Sequence, residues 1–184
     1  LNNLNLESNK ISVKKINNEF LIKENIENKF IDLKDKDFLF IKEKIFPDLD
    51  IKKIKFNSKN EFLLKINDKF QLTDTKITSK IKIQKAQILK KINLEEIFPK
   101  IKNDISFLNH EIDLNYKKDF LSINGKGKII IQKKEDLILY KIEKYKNKLV
   151  FENVLEINEN PLFIKLMNYE KKDGSKTIIK LNGH

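Results

Sequence analysis

The amino-acid sequence predicts a mostly β protein whose strands form a long antiparallel meander. The clearest part runs from Gly125 to Gly183, where apolar stretches of strand length are separated by very short turns. Lys146-Asn147 and Glu159-Asn160-Pro161 are two of these turns. Because no stretch between them has helical spacing, something other than helices must cover the apolar face of this sheet. The meander either stays open as a curved, groove-like sheet, which is the fold class that we predict, or closes into a sandwich or barrel.

The first half of the chain contains less regular strand patterns. Lys76 to Gln84 alternates most clearly, since Ile77, Ile81 and Ile83 share one parity and polar residues take the other. Asn57-Ser58-Lys59-Asn60 is predicted to be a turn. Further strands are predicted at Ile11 and Val13 and at residues 19–23, 38–41, 51–56 and 61–67.

Five strands are predicted in the last third of the chain, at residues 128–132, 137–145, 149–158, 162–169 and 176–181. Gly125 and Gly127 precede the first of these strands, where a bulge or a close backbone contact is the ordinary explanation. The third glycine and the following helix of a phosphate-binding loop are missing.

One short helix is predicted near residues 93–105. Asn93 can act as the N-cap, and Glu96 follows three residues later. Pro99 disfavours continuation, after which the helix is expected to resume through Ile101 and Ile105.

Length and charge limit the function classes. The 184 residues show no hinge, so we expect one β-rich segment, residues 1–184, that belongs to a longer protein. The net charge is +11, but 27 acidic residues are interspersed among the lysines. This mixture favours a solvated surface over a nucleic-acid interface.

The sequence indicates no reaction chemistry. There is no Cys, and the two histidines belong to no spaced cluster, so neither a metal site nor a cofactor is expected. His110 precedes an alternating run and is predicted to be a surface or turn residue. Since no convergent set of titratable groups is visible, we expect a protein that is not an enzyme.

The apolar residues of the last strands are the candidate functional surface. If the sheet stays open, its apolar face could hold lipid acyl chains; if it closes into a sandwich or barrel, the domain would bind proteins or act as an assembly scaffold. The residues predicted to face the apolar groove are Ile138, Tyr140, Ile142, Phe151, Leu155, Ile157, Leu162, Ile164 and Leu166.

The C-terminal pattern resembles the AsmA-like region of large bacterial envelope proteins of the AsmA, TamB and YhdP type. The resemblance covers roughly residues 75–184 and depends on strand and turn residues, without a catalytic signature. The matching residues include Ile123-Asn124-Gly125-Lys126-Gly127, Tyr140-Lys141-Ile142, residues 155–162 and 166–172, and Leu181-Asn182-Gly183.

The resemblance implies a non-enzymatic segment that lines an apolar groove for phospholipid transfer between the inner and outer membranes. The parent protein would extend through the periplasm, with an inner-membrane anchor outside this chain. The implied partners are phospholipid acyl chains and other repeats of the same parent chain, and the implied role is the integrity of the outer membrane.

Overall fold

The computed structural model describes residues 6–34, 50–89, 95–98, 100–172 and 174–184. Strands dominate these ranges, and a 3-10 helix spans Lys165–Met167. The strands are β1 (Leu6–Ile16), β2 (Glu19–Lys34), β3 (Ile51–Asn67), β4 (Leu72–Leu89), β5 (Asp104–Lys117), β6 (Phe120–Ile130), β7 (Asp136–Tyr145), β8 (Lys148–Ile157), β9 (Phe163–Ile164), β10 (Tyr169–Glu170) and β11 (Thr177–Gly183).

The described strands form one long antiparallel meander. Strands β1 to β8 pair in chain order and β11 pairs with β8, while β9 and β10 pair only with each other. Strands β1 and β11 lie at opposite edges of the sheet and do not pair, so the sheet is open and groove-like. The predicted fold class is therefore confirmed, and the closed sandwich or barrel is wrong for the described residues.

The two faces of the sheet differ in chemistry. Residues that lie directly opposite in neighbouring strands share a face, so the register assigns Ile81, Ile112 and their partners to one face. The other face carries charged side chains, among them Glu111, which forms ion pairs of 3.7 Å with Lys82 and 3.4 Å with Lys126. The period-two pattern of the sequence thus separates an apolar face from a polar face.

A line of β-bulges crosses β2 to β5. The register shifts between Asn28 and Ile31, between Lys55 and Phe56, and between Leu108 and Glu111. These shifts are adjacent, because the cross-strand partners next to them run from Ile31 through Phe56 and Ile83 to His110. Since bulges bend the strands that contain them, this line forms a crease in the sheet.

The two ends of the sheet have different connections. At the hairpin end, the strand pairs β1–β2, β3–β4, β5–β6 and β7–β8 are joined by tight turns of two to four residues. Each of these turns contains a residue with positive φ: Asn17, Phe70, Asp119 or Lys146. The longer connections, including residues 131–135 and 158–176, lie at the opposite, loop end.

The main core lies at the loop end of the sheet. Phe98 and Leu162 pack there over Ile129, Ile131 and Ile157, and all five side chains are buried. A backbone hydrogen bond from the Phe163 amide to the Ile97 carbonyl oxygen, 3.1 Å, joins the two segments that cover the sheet. We call these segments, residues 95–98 and 158–172, the loop-end cover.

The predicted helix near residues 93–105 is wrong where the chain is described. Glu95 to Ile97 form a turn, and β5 already begins at Asp104. Asn93 and Pro99 lie outside the described residues. The physical reason is tertiary packing, because Phe98 is buried in the core and Ile105 packs against the same core from β5.

The predicted strand at residues 162–169 is also wrong. Phe163–Ile164 and Tyr169–Glu170 are instead two-residue strands that pair with each other. The 3-10 helix connects them, and Asn168 adopts a φ of 46°. Leu162 explains the break, because in the cover its side chain is buried against Phe98 and Ile157. The chain therefore leaves the sheet after β8 and returns only with β11.

Two further sequence predictions concern the first half. The predicted turn at Asn57–Asn60 is wrong, because these residues lie inside β3. Their backbone groups belong to the ladders with β2 and β4, which offsets the weak strand preference of Ser and Asn. The predicted strand at residues 38–41 lies outside the described residues.

Candidate functional site

Six of the nine predicted groove residues lie together on the apolar face. They belong to β7 and β8, and their cross-strand pairs include Ile138 with Leu155 and Ile142 with Phe151. The full set is Ile138, Tyr140, Ile142, Phe151, Leu155 and Ile157.

The other three predicted residues do not lie in the main sheet. Leu162 and Ile164 belong to the loop-end cover, which packs on the apolar face from outside. Leu166 lies in the 3-10 helix, and its side chain is outside the described part of the structure. The described candidate surface in the sheet therefore ends with β8 and does not include the three predicted residues that follow it in the sequence.

The same face continues across strands that the sequence analysis did not include in the candidate functional surface. Phe56 and Phe62 in β3, Ile81 in β4 and Leu114 in β5 lie on it, and all are half-buried. Their neighbours in the register are mostly aliphatic. Alternation in each strand could have identified these residues, but only the register shows that they form one surface.

Three glycines on the apolar face each lie against an aromatic ring. A Cβ atom at Gly125 would lie 2.1 Å from the Tyr140 ring, and one at Gly127 would lie 2.3 Å from the His110 ring. Gly183 has the same relation to Phe151, at 2.5 Å. The rings occupy the space of the absent side chains, so they lie close to the backbone of the sheet. Because of this packing, the aromatic rings project only a short distance from the backbone of the sheet at these three points.

His110 and Tyr140 form an uncharged polar pair within this surface. His110 Nε2 lies 2.9 Å from the Lys128 carbonyl oxygen, so Nε2 carries the proton, and Nδ1 can accept from the Tyr140 hydroxyl at 3.5 Å. Burial lowers the pKa of His110, although its backbone hydrogen bond opposes this, and burial raises the pKa of Tyr140 to about 12. Both groups are therefore neutral at pH 7.

The prediction that His110 is a surface or turn residue is wrong, because its side chain is almost fully buried. Phe107 packs against its ring edge-on, with 5.2 Å between the ring centroids. Gly125 and Gly127 indicated a close contact with the backbone in this region of the sequence. Nothing in the local sequence, however, showed that the contact at Gly127 is with His110 in another strand.

Acid is expected to weaken the fold through His110. Because its pKa is lowered in the folded state, the unfolded chain binds more protons, and stability falls as the pH drops below about 6.5. Urea unfolding at pH 7.5 and 5.5 measures this loss. His110→Phe should reduce it; equal losses in wild type and His110→Phe would contradict the assignment.

A second polar group lies beside the crease in β2 and β3. Ser58 Oγ donates to Asn28 Oδ1, and Asn60 Nδ2 donates to Ser58 Oγ at 2.8 Å and to the Ile26 carbonyl oxygen at 3.2 Å. No buried side-chain polar atom lacks a partner among the described residues. These groups are uncharged and already hydrogen-bonded, so they do not form a binding site by themselves.

A buried polar network holds the loop-end cover in place. Asn160 Nδ2 donates to Asp136 Oδ2 at 2.6 Å, and Lys171 Nζ donates to the Asn158 carbonyl oxygen at 2.7 Å. Burial raises the pKa of the Asp136 carboxyl group against the opposing effects of its hydrogen bonds and of Lys171. The sequence analysis missed this network, since its members come from three separate segments of the chain: the start of β7, the residues after β8 and the residue after β10.

The described residues contain no group of three metal-binding side chains, and no described helix is long and apolar enough to cross a membrane. A depression of about 410 Å³ lies on the polar face, where Glu111, Lys126, Lys141 and Glu152 contribute to its lining. These are solvated, partly paired charges, without a nucleophile among them.

Comparisons with protein-family models, with curated proteins and with solved structures find no match. The candidate site must therefore be interpreted from its own chemistry. The largest feature of that chemistry is the mostly apolar face of the open sheet.

Proposed function

We propose that this chain is a non-enzymatic segment of an AsmA-like envelope protein and that its apolar face holds phospholipid acyl chains. One observation carries the proposal: a half-buried, mostly apolar face extends from β2 to β8 in an open sheet. The loop-end cover packs on one end of this face. Elsewhere the main contacts of each described strand are with its neighbours in the sheet.

The energetics favour a lipid chain as the occupant. The chain exposes 13125 Å² of surface, whereas a compact protein of 21.9 kDa exposes about 9,300 Å². Each methylene group moved from water onto such a face contributes about 0.8 kcal/mol. At a strand spacing of about 4.8 Å, the sheet spans about 38 Å across its strands, so many methylene groups can be accommodated.

The proposed biological setting follows from the resemblance described above. The parent protein would be anchored in the inner membrane and extend through the periplasm, where it would carry phospholipid towards the outer membrane. Other repeats of the parent chain would be neighbours of this segment. The neutral state of His110 and Tyr140 supports the proposal, because charged groups in the groove would disfavour acyl chains.

A charge placed on the apolar face is expected to abolish lipid retention. Ile142→Asp puts a carboxylate between two half-buried cross-strand neighbours, Ile123 of β6 and Phe151 of β8. Native mass spectrometry of the purified chain should show bound phospholipid in the wild type and at least about a tenfold lower bound fraction in this variant.

Leu139→Asp is the matched control, because Leu139 lies in the same strand but on the polar face, and is exposed. This variant should retain lipid like the wild type. Circular dichroism and thermal unfolding would establish that both variants are folded. The proposal fails if no lipid accompanies the wild type, or if a folded Ile142→Asp variant retains as much as Leu139→Asp.

A further inference from the structure

The four tight turns at the hairpin end share an unusual composition. Each carries an exposed large apolar side chain in the turn or within two residues of it: Ile16, Phe70, Tyr116 or Tyr145. Phe70 is 84% exposed and Tyr145 is 56% exposed. At the loop end Phe98, Ile131 and Leu162 are buried, and the exposed apolar side chains there, such as Met167 and Tyr169, do not repeat at every connection. Exposure of apolar side chains at every turn of one end calls for an explanation.

Lysines accompany these apolar side chains. Residues 14–18, 68–72, 116–120 and 144–149 contain eight lysines and two aspartates, a net charge of +6, compared with +11 for the whole chain. More than half of the net charge therefore belongs to these 21 residues. A surface that combines concentrated positive charge with apolar side chains matches an anionic membrane interface, where both kinds of group are favourable.

The side-chain geometry brings the two kinds of group together. Lys146 Nζ lies 5.4 Å from the centroid of the Tyr145 ring, and Lys15 Nζ lies 5.7 Å from that of Phe20. Phe70 stacks on Phe20, with 6.4 Å between the ring centroids. An ammonium group beside an aromatic ring can contact lipid phosphates while the ring enters the headgroup region.

The topology arranges these turns in a row. In an antiparallel meander every second connection lies at the same end, so neighbouring hairpins are two strand spacings, about 10 Å, apart. The row from the β1–β2 turn to the β7–β8 turn is then about 29 Å long. The same chemistry repeated along a line fits a laterally uniform surface better than a single protein epitope.

We propose that the row of tight turns at the hairpin end docks on the surface of a bilayer that contains anionic phospholipid. The lysines contact the headgroups, and Ile16, Phe70, Tyr116 and Tyr145 insert between them. This docking concerns the rim of the sheet and does not depend on lipid binding by the apolar face.

Single tryptophan reporters test the proposal, because the chain has no natural Trp. Phe70→Trp and Tyr145→Trp place the reporter on the proposed docking rim. Met167→Trp is the matched control, since Met167 is 72% exposed but lies at the loop end. Vesicles of phosphatidylcholine, with or without phosphatidylglycerol, are added while Trp emission is measured.

The expected result is a blue shift for both rim reporters with the anionic vesicles only, reversed by salt, and no shift for Met167→Trp. Equal shifts at all three positions, or none at the rim, would overturn the proposal. Equally tight binding of soluble heparin that leaves the rim reporters in water would also overturn it, because the surface would then bind polyanions generally.

Charge variants provide a second measurement. Replacing Lys118 and Lys146 by Gln should weaken sedimentation with anionic vesicles by at least about tenfold. The control replaces Lys80 and Lys85, which lie within β4, and should change binding little. Ile142→Asp should dock like the wild type, so failure of the acyl-chain proposal and failure of this one can be told apart. Equal losses for the two lysine pairs would contradict a docking rim.

Discussion

Gly127→Val is expected to lower the free energy of unfolding by about 3 kcal/mol. The new Cβ atom would lie 2.3 Å from the His110 ring, well inside van der Waals contact. The ring cannot easily move, because it is almost fully buried, packs against Phe107 and is hydrogen-bonded to the Lys128 carbonyl oxygen. The clash must therefore break that hydrogen bond or distort β6. Urea unfolding monitored by circular dichroism measures the loss.

Gly125→Val should cost less, about 1 kcal/mol. Its Cβ atom would meet the Tyr140 ring at 2.1 Å, but Tyr140 is only half-buried and can rotate towards the open face. The rotated ring would obstruct the apolar face, so this variant should lose bound lipid more than stability. A difference between the two glycines follows from the freedom of the ring that each one faces.

A double-mutant cycle separates the ring contact from a general effect of valine in the strand. Adding His110→Ala to Gly127→Val should recover part of the lost stability, because the clash is removed. Asn124→Val, on the exposed polar side of β6, is the control for valine itself and should change stability by less than about 0.5 kcal/mol. Additive losses for Gly127→Val and His110→Ala would contradict a direct contact.

The strands were predictable because their signal is local. Lys76 to Gln84 alternates in a period of two, and β4 contains that whole range. Residues 137–145 and 149–158 likewise correspond closely to β7 and β8. The alternation also predicted that Ile138, Tyr140 and Ile142 share a face, which the register confirms.

The predictions that failed depend on contacts between distant parts of the chain. Leu162 continues an apolar run, but it is buried in the cover and not in a strand of the main sheet. Ser58 and Asn60 have turn-like composition, yet their ladder partners keep them in β3. Local propensity cannot weigh such contacts, since their free energy depends on residues in other elements, such as Ile81 for Ser58 and Phe98 for Leu162.

The line of β-bulges that forms the crease could not be predicted from local sequence patterns either. A bulge changes the parity of every residue after it, so Phe30 is exposed on the polar face while the adjacent Ile31 is buried on the other. The sequence around Asn109 contains no glycine to mark its positive φ of 51°. The extent of the candidate site therefore required the strand register, whereas its apolar character did not.

Leu162→Ala is expected to lower the free energy of unfolding by about 3 kcal/mol. Leu162 is 1% exposed and lies between Phe98 of the cover and Ile157 of the sheet, so truncation leaves a cavity that neither rigid neighbour can fill. The amide hydrogen of Lys171, which is bonded to the Leu162 carbonyl oxygen at 2.9 Å, should exchange faster with solvent as the cover loosens.

Leu181→Ala is the matched control, because Leu181 lies in β11 and is 57% exposed. The same truncation there removes little buried surface and should cost less than about 0.5 kcal/mol. Equal losses for the two leucines would mean that the cover contributes no core packing. A large loss confined to Leu162→Ala, with faster exchange at Lys171, would instead show that this segment stabilises one end of an otherwise open apolar face.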